Sequence, residues 1–329
     1  MRATEPIQLV CQTEPKISVI IPTFNRAHLL SRAIKSVLTQ TLIDFELIIV
    51  DDGSTDNTAE IINSFSDPRI KFLSLGKNFG GNYARNQGIK AACSDFVSFL
   101  DSDDEWLVNK LELQIARLQS TDEPEANIVY CQYYEYQDLT KRKVLFQSIH
   151  EENVFDQLLK GWCPVLSTFI IKRSDLLEIQ GFDESLPSFQ DYDLFLRLAK
   201  LGKRFVAVPE PLVNKYVHNS HQITGNLNTR LEGFKIFQDR WGDLMKNRFG
   251  FWAYRRWVTN HLGFVYFRQI QKAIDEEDTV RAWKNFFEVL RFLPFSKGLA
   301  LKGLVLILAG PDIYRKMSQF KNAPSELEN

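Results

Sequence analysis

The chain of 329 residues carries 40 Lys or Arg against 41 Asp or Glu, a net charge of −1, with 44% hydrophobic residues. That is the composition of a folded globular protein of one or two domains, not of a polycation that gathers nucleic acid by bulk attraction. Four dispersed cysteines (Cys11, Cys93, Cys131, Cys163) form no C-x-x-C pair, which argues against a disulfide framework or a structural zinc site and for a reducing cytoplasmic compartment. The opening MRATEPIQLV lacks the apolar run of a signal peptide, and no stretch approaches the roughly 20 apolar residues that span a bilayer.

Residues 17–23 (ISVIIPT) and 45–52 (FELIIVDD) are short β-branched runs. Between them, 27–39 sets Leu29, Leu30, Ala33, Ile34, Val37 and Leu38 on one stripe opposite Arg32 and Lys35. This is the strand–helix–strand rhythm of a buried parallel sheet, and it makes the helix scaffold. An amphipathic stretch at 56–66, a strand at 70–75, a helix at 82–92 and a strand at 95–101 continue the rhythm. Beyond Asp104 the pattern predicts a helix at 106–119, strands at 127–136 and 165–172, a helix at 190–201 and strand pieces at 204–208 and 212–218, a mixed continuation of the same sheet. After Thr224 strands give way to a helical remainder holding Trp241, Trp252, Trp257 and Trp283. The expected organisation is a tail over 1–15, an α/β domain over 16–222 with halves at 16–104 and 105–222, and a helical region over 223–329.

Open α/β sheets bind ligands outside the carboxyl ends of their strands. Four polar segments fall there: Pro22-Thr23-Phe24-Asn25-Arg26, Asp51-Asp52-Gly53-Ser54, Asn78-Phe79-Gly80-Gly81-Asn82 and Asp101-Ser102-Asp103-Asp104. Each alone reads as a polar turn; together at one edge they read as a site. Carboxylates crowded at a strand end repel one another unless a cation neutralises them. Mg²⁺ or Mn²⁺, held by one or two carboxylates, keeps positions open for substrate phosphates. Asp104 is expected mainly to cap the helix starting near Trp106. No G-x-x-x-x-G-K-[ST] or G-x-G-x-x-G follows the first strand, so phosphates fall to metal and side chains. Arg85 suits a diphosphate at a helix start or, equally, a surface ion pair.

The runs SVIIPTFNRAHLLSRAIKSVLTQT, FELIIVDDGSTDNT, NFGGNYARNQGI and FVSFLDSDDEW, in this order and spacing, resemble the family 2 glycosyltransferases, over about residues 16–222. The resemblance implies a GT-A fold with a mostly parallel central sheet, and an inverting transfer from a nucleotide-diphosphate sugar, UDP being the commonest nucleotide. It implies that the Pro22-Thr23 loop, with Asn25 and Arg26, and Asp52 hold the nucleotide. Asp101 and Ser102 would meet ribose or diphosphate, and Asp103 would hold Mn²⁺ or Mg²⁺. Asp191 takes the position of the catalytic base, with Gln190 where the family usually has Glu, a change that removes one charge and should lower the proton affinity of Asp191. His218 matches a histidine that approaches the metal or diphosphate, against its reading as a hydrogen-bonded structural residue. Trp162 sits where the acceptor site would begin, either against a sugar ring or in the core. Two other readings are a non-catalytic nucleotide-sugar binding or scaffold protein, for which Gln190 is the hint, and a sugar nucleotidyltransferase, whose glycine-rich loop is missing after the first strand.

Residues 246–321 hold fourteen Lys or Arg against six Asp or Glu, interleaved with aromatics. An aromatic-basic helix can lie in the interface of an anionic membrane. A lid on the catalytic domain or a homodimer surface is the alternative. Acceptors of bacterial surface-polysaccharide enzymes in the family are commonly lipid-linked, which places the chain at the inner face of the plasma membrane.

Overall fold

The two most apolar runs become adjacent, fully buried parallel strands, β1 (Ile17–Thr23) and β2 (Phe45–Asp51), in register from Ile17 opposite Phe45 to Thr23 opposite Asp51. The computed structural model that shows this describes residues 15–120, 126–137, 142–147, 149–162, 165–217, 226–292 and 297–320. Helix α1 (Ala27–Leu38) covers one face of this pair through Leu30, Ala33, Ile34 and Val37, which pack with Val19, Ile21, Leu47 and Ile49. Each of the leucine, isoleucine and valine side chains contributes about 1.5–3 kcal/mol by leaving water. The crossovers continue with α2 (Thr58–Asn63), β3 (Ile70–Ser74), α3 (Gly81–Ala91) and β4 (Phe96–Phe99), and β3 and β4 join parallel to β2 and β1.

The second half runs β5 (Glu105–Trp106), α4 (Lys110–Leu118), β6 (Ile128–Gln137), β7 (Arg142–Phe146), α5 (Val154–Leu159), β8 (Phe169–Lys172), α6 (Arg173–Glu178), α7 (Gln190–Lys200) and β9 (Phe205–Val217). Among the described residues these strands form one nine-stranded sheet in the order β3-β2-β1-β4-β8-β6-β9-β5, with β7 on β6. Where β8 meets β4 and β6 the pairing turns antiparallel.

Three details depart from the sequence pattern. Residues 105–106 are strand, because Glu105 and Trp106 pair with Asn214 and Val213 and the Trp106 indole donates to the Ser167 carbonyl, so the helix begins only at Lys110. The pieces at 204–208 and 212–218 are one strand, interrupted in sequence by Pro209 and Pro211, which lie where the strand is exposed or half-exposed and a missing N–H costs little. Cys131 is a buried free thiol, pushed up to about 11 by its burial, whereas Cys93 is disulfide-bonded, unlike the expected free cysteines.

The chain divides into two compact units, one of Met1–Tyr136, Arg142–Leu186 and Gln190–Val217, the other of Gln137–Lys141, Pro187–Phe189 and His218–Asn329. The second unit contains α8 (Leu227–Phe249), α9 (Phe251–Asp275), α10 (Thr279–Leu290) and α11 (Lys297–Phe320), the last broken at Gly310 where φ is +79°. Phe267, Ile270, Phe286, Val289 and Leu306 form its core, and Phe189, at a left-handed φ of +67°, packs among Phe234, Phe237 and His261. Among the described residues no helix is long and apolar enough to cross a membrane.

Candidate active site

The parallel strands all point their carboxyl ends to one edge, and the loops there lock onto each other. Asn25, at φ +51°, accepts the Thr55 N–H at 2.8 Å, and its own N–H donates to Ser54 Oγ at 2.9 Å. Its amide oxygen therefore ties the loop after β1 to the loop after β2. Arg26 caps α1 through its backbone carbonyl, which accepts from Leu29 and Leu30. Pro22 is half-buried, and the buried Thr23 hydroxyl finds no hydrogen-bond partner among the described residues.

Asp52 is buried and accepts the N–H groups of Phe79 and Gly80 at 2.7 and 2.8 Å. Burial nevertheless raises its proton affinity above the ordinary aspartate value, with help from the charge of Asp51. The next residue must be glycine: Gly53 has φ +77°, and a Cβ there would lie 2.4 Å from the Lys77 carbonyl carbon. The Asp52 carboxylate thus clamps the loop that leads to α3.

Arg85, one turn into α3, is 6% exposed and donates from Nη2 to Asp101 Oδ1 at 2.7 Å. The ion pair allowed by its spacing forms, with the guanidinium buried and the Asp101 carboxylate half-exposed. Burial opposes its charge, yet Asp101, Asp191 and Asp103 together hold its proton affinity above the usual arginine value. Its Nε and Nη1 find no hydrogen-bond partner among the described residues. Two charged donor nitrogens thus lie buried in the negative field of these carboxylates.

Asp191, in the first turn of α7, leaves Oδ1 buried without a partner among the described residues. Burial lifts it to about 6, with Asp101 adding to the rise while Arg85 and Lys215 oppose it. The loss of charge at Gln190 therefore does not decide its proton affinity; desolvation does. The approach to Asp191 is pinned by α3: Asn82 donates to the carbonyls of Asp183 and Leu186, and Asn86 exchanges hydrogen bonds with the backbone of Phe182. Asp193 is structural, fully buried and paired with Arg197 at 2.7 Å.

Asp104 does not cap a helix. It is buried, accepting Ser167 Oγ–H at 2.8 Å and the Tyr216 N–H at 3.2 Å, and latches the loop to β9. Burial and the charges of Asp101 and Asp103 drive its proton affinity well up. Asp101 and Asp103 remain half-exposed, and Ser102 is buried. Among the described residues no three His, Cys, Asp or Glu side chains form a cage for an ion. The donor set fits a divalent cation in another way. Carboxylates crowd residues 101–104, and one or two of them suffice for such an ion where substrate phosphates complete the shell.

Trp162 is half-buried, its ring 5.3 Å from Tyr130 and 4.9 Å from His150. His218 lies outside the described residues. Lys215 escaped the sequence reading altogether; its charge acts on both Asp191 and Asp104, and it stands on β9 between β6 and β5, ion-paired with Glu135 at 3.4 Å.

Residues 18–180 match the profile of glycosyl transferase family 2. The chain is 31% identical over 235 residues to the UDP-Glc:alpha-D-GlcNAc-diphosphoundecaprenol beta-1,3-glucosyltransferase WfgD of Escherichia coli, covering 70% of this chain and 87% of WfgD. It is 35% identical over 191 residues to a glycosyltransferase of Rickettsia felis, covering 56% of this chain but only 30% of that protein's length. Its fold is similar to that of Staphylococcus aureus TarS 1–349 in complex with UDP-GlcNAc, with a TM-score of 0.55, 18% identity and 92% of each chain covered. Mannosyltransferase PcManGT from Pyrobaculum calidifontis, in complex with GDP-Man and Mn²⁺, superposes with a TM-score of 0.51 at 17% identity over 96% of this chain and 89% of that one.

Proposed function

This chain belongs to glycosyltransferase family 2, and from that premise we propose that it transfers a hexosyl or N-acetylhexosaminyl group, with inversion, from a UDP-sugar to a hydroxyl of a glycan or lipid-linked acceptor. The catalytic domain would be 16–222, with donor half 16–104 and acceptor half 105–222, and 223–329 a helical appendage. The observation that carries the reading is the convergence of the charges of Asp101, Asp103 and Asp191 on Arg85, whose Nε and Nη1 find no hydrogen-bond partner among the described residues. UDP as carrier and a diphospholipid acceptor are supported by the name of WfgD, and a cation by the Mn²⁺ complex of PcManGT.

In this reading Thr23 and Asp52 receive the nucleobase, with Asn25 and Arg26 shaping the loop, and Asp101 and Ser102 border the ribose and diphosphate. Asp191, ionised at neutral pH, takes the proton of the acceptor hydroxyl as that oxygen attacks the anomeric carbon. The bond from that carbon to the diphosphate oxygen breaks, and Arg85 meets the charge that accumulates on the leaving group. Asp103, with His218, would hold Mn²⁺ or Mg²⁺, which when bound supplies Lewis-acid relief of the same charge. Trp162 and Gln190 border the acceptor side. Titration of UDP with and without Mn²⁺ tests the donor half: Mn²⁺ is expected to tighten binding at least tenfold, and Asp103→Ala to abolish that gain. Equal affinities throughout would refute metal-assisted donor binding.

Peripheral contact of 246–321 with an anionic membrane at the cytoplasmic face is part of the proposal. Its support is that Phe251, Trp252, Phe264 and Phe287 are exposed among the exposed Arg255, Arg256, Arg268 and Lys284. Co-sedimentation with vesicles containing anionic lipid is expected, falling with salt and in a Trp252→Ser, Arg255→Glu, Arg256→Glu triple variant. Equal sedimentation of that variant, or a salt-insensitive homodimer in place of vesicle binding, would count against it.

A further inference from the structure

Arg32 stands on α1, a helix whose sequence pattern assigns it nothing but packing. In the structure its Nη2 donates to the backbone carbonyl of Asp103 at 2.5 Å, 71 residues away in sequence. Its guanidinium carbon lies 3.7 Å from the centroid of the Tyr216 ring. That ring is itself fixed: it stacks on Tyr136 at 4.9 Å, and its hydroxyl donates to Glu105 Oε2 at 3.0 Å. The Tyr216 N–H meanwhile holds Asp104. Three consecutive residues, 103 to 105, are thus anchored through one arginine and one tyrosine, and the anchor at 103 grips the backbone carbonyl.

We propose that Arg32 is a positioning residue of the transfer reaction, setting the direction in which Asp103 presents its carboxylate to a divalent cation and the donor diphosphate. This rests on the reading of Asp103 as the cation-holding side chain. The physical reason is that a charge-assisted hydrogen bond to a carbonyl fixes the peptide plane on the far side of that residue, and with it the orientation of Cα–Cβ. A guanidinium can donate in its plane while its face lies on a ring. A lysine in its place can do one or the other, so retention of charge alone does not preserve the device. Groups that orient a metal ligand without touching the metal commonly matter about 10–100-fold in metal affinity.

The test is calorimetric titration of UDP, with and without Mn²⁺, into wild type, Arg32→Met, Arg32→Lys, Tyr216→Leu and Asp103→Ala, each accompanied by a thermal melt. Arg32→Met and Arg32→Lys are expected to lose about 10–100-fold of the Mn²⁺-assisted affinity while metal-free UDP affinity stays within about twofold. Tyr216→Leu, which removes the platform and keeps the arginine, should show a smaller loss of the same kind. A lower melting temperature with an unchanged ratio of the two affinities would mean a structural arginine and overturn the proposal. Should Arg32→Met fail to fold, Arg32→Lys, which keeps the stem and the charge, decides. If Asp103→Ala abolishes the Mn²⁺ effect and the Arg32 variants keep it, the assignment to Arg32 alone is lost; if Asp103→Ala leaves the effect intact, the cation reading falls and this inference falls with it.

Discussion

Asp191→Asn is expected to lower transfer by about 10²–10⁴-fold, the usual contribution of a general base, with UDP affinity kept within a few-fold. The same substitution should raise stability. The carboxyl is held at about 6 against 3.8 for the free group, so the folded chain binds this proton more tightly than the unfolded one. Below pH 3.8 both states are protonated and the group costs nothing. As pH rises from 3.8 to 6 the unfolded chain releases the proton first and stability falls, and above about 6 the full cost of roughly 3 kcal/mol is present. Asparagine removes that cost, so the variant should melt higher than wild type at pH 7–8 and nearly the same near pH 4. Wild-type kcat/KM should fall as pH drops through about 6. Turnover retained in the asparagine variant, or a lower melting point at pH 8, would remove Asp191 from its assigned role.

The second large effect is expected at Arg85. Arg85→Ala leaves Asp101 without its partner and removes the positive charge that opposes the rise of Asp191. The carboxylate left behind is half-exposed and screened by solvent, so the loss of stability is expected to be smaller than for a fully buried pair. Arg85→Lys preserves the charge and is the informative change. UDP-sugar affinity should drop by one to two orders of magnitude, because an ammonium cannot reproduce the forked donors. Arg85→Met, if folded, should move the acid limb of the pH–rate profile to higher pH, since Asp191 loses the positive charge that most opposes its rise. An unshifted limb, together with wild-type affinity in Arg85→Lys, would show that this guanidinium faces no substrate.

What could be read in advance follows the range of the interactions. The apolar runs 17–23 and 45–52 and the polar turns after them are local features, and the strands and the loop edge emerge where the pattern puts them. The edge residues Asp52, Asp101 and Asp103 were visible for the same reason. Arg32, Lys215 and the Asn82–Asn86 clamp were not, because each acts on a segment distant in sequence and no local period marks such a partner. Asp104 shows the converse error: a carboxylate before an apparent helix suggested a cap, whereas Ser167 and Tyr216, distant in sequence, claim both of its oxygens. The antiparallel pairing of Glu105 with Asn214 is what moved the helix start.

The change of strand direction at β4 also bears on how the chain is made. Strands β1 to β4 find their neighbours through short crossovers, but the free side of β4 is closed only when β8 arrives, Val97 taking Ile171 and Ser98 taking Ile170. On a ribosome, the first hundred residues can assemble while that edge, lined by Val97 and Phe99, still waits for its mate. Until residue 172 has emerged, the nascent chain offers an unpaired ladder to any other extended strand nearby. Fragments cut after the donor half should therefore stick to one another instead of yielding a tractable nucleotide-binding module.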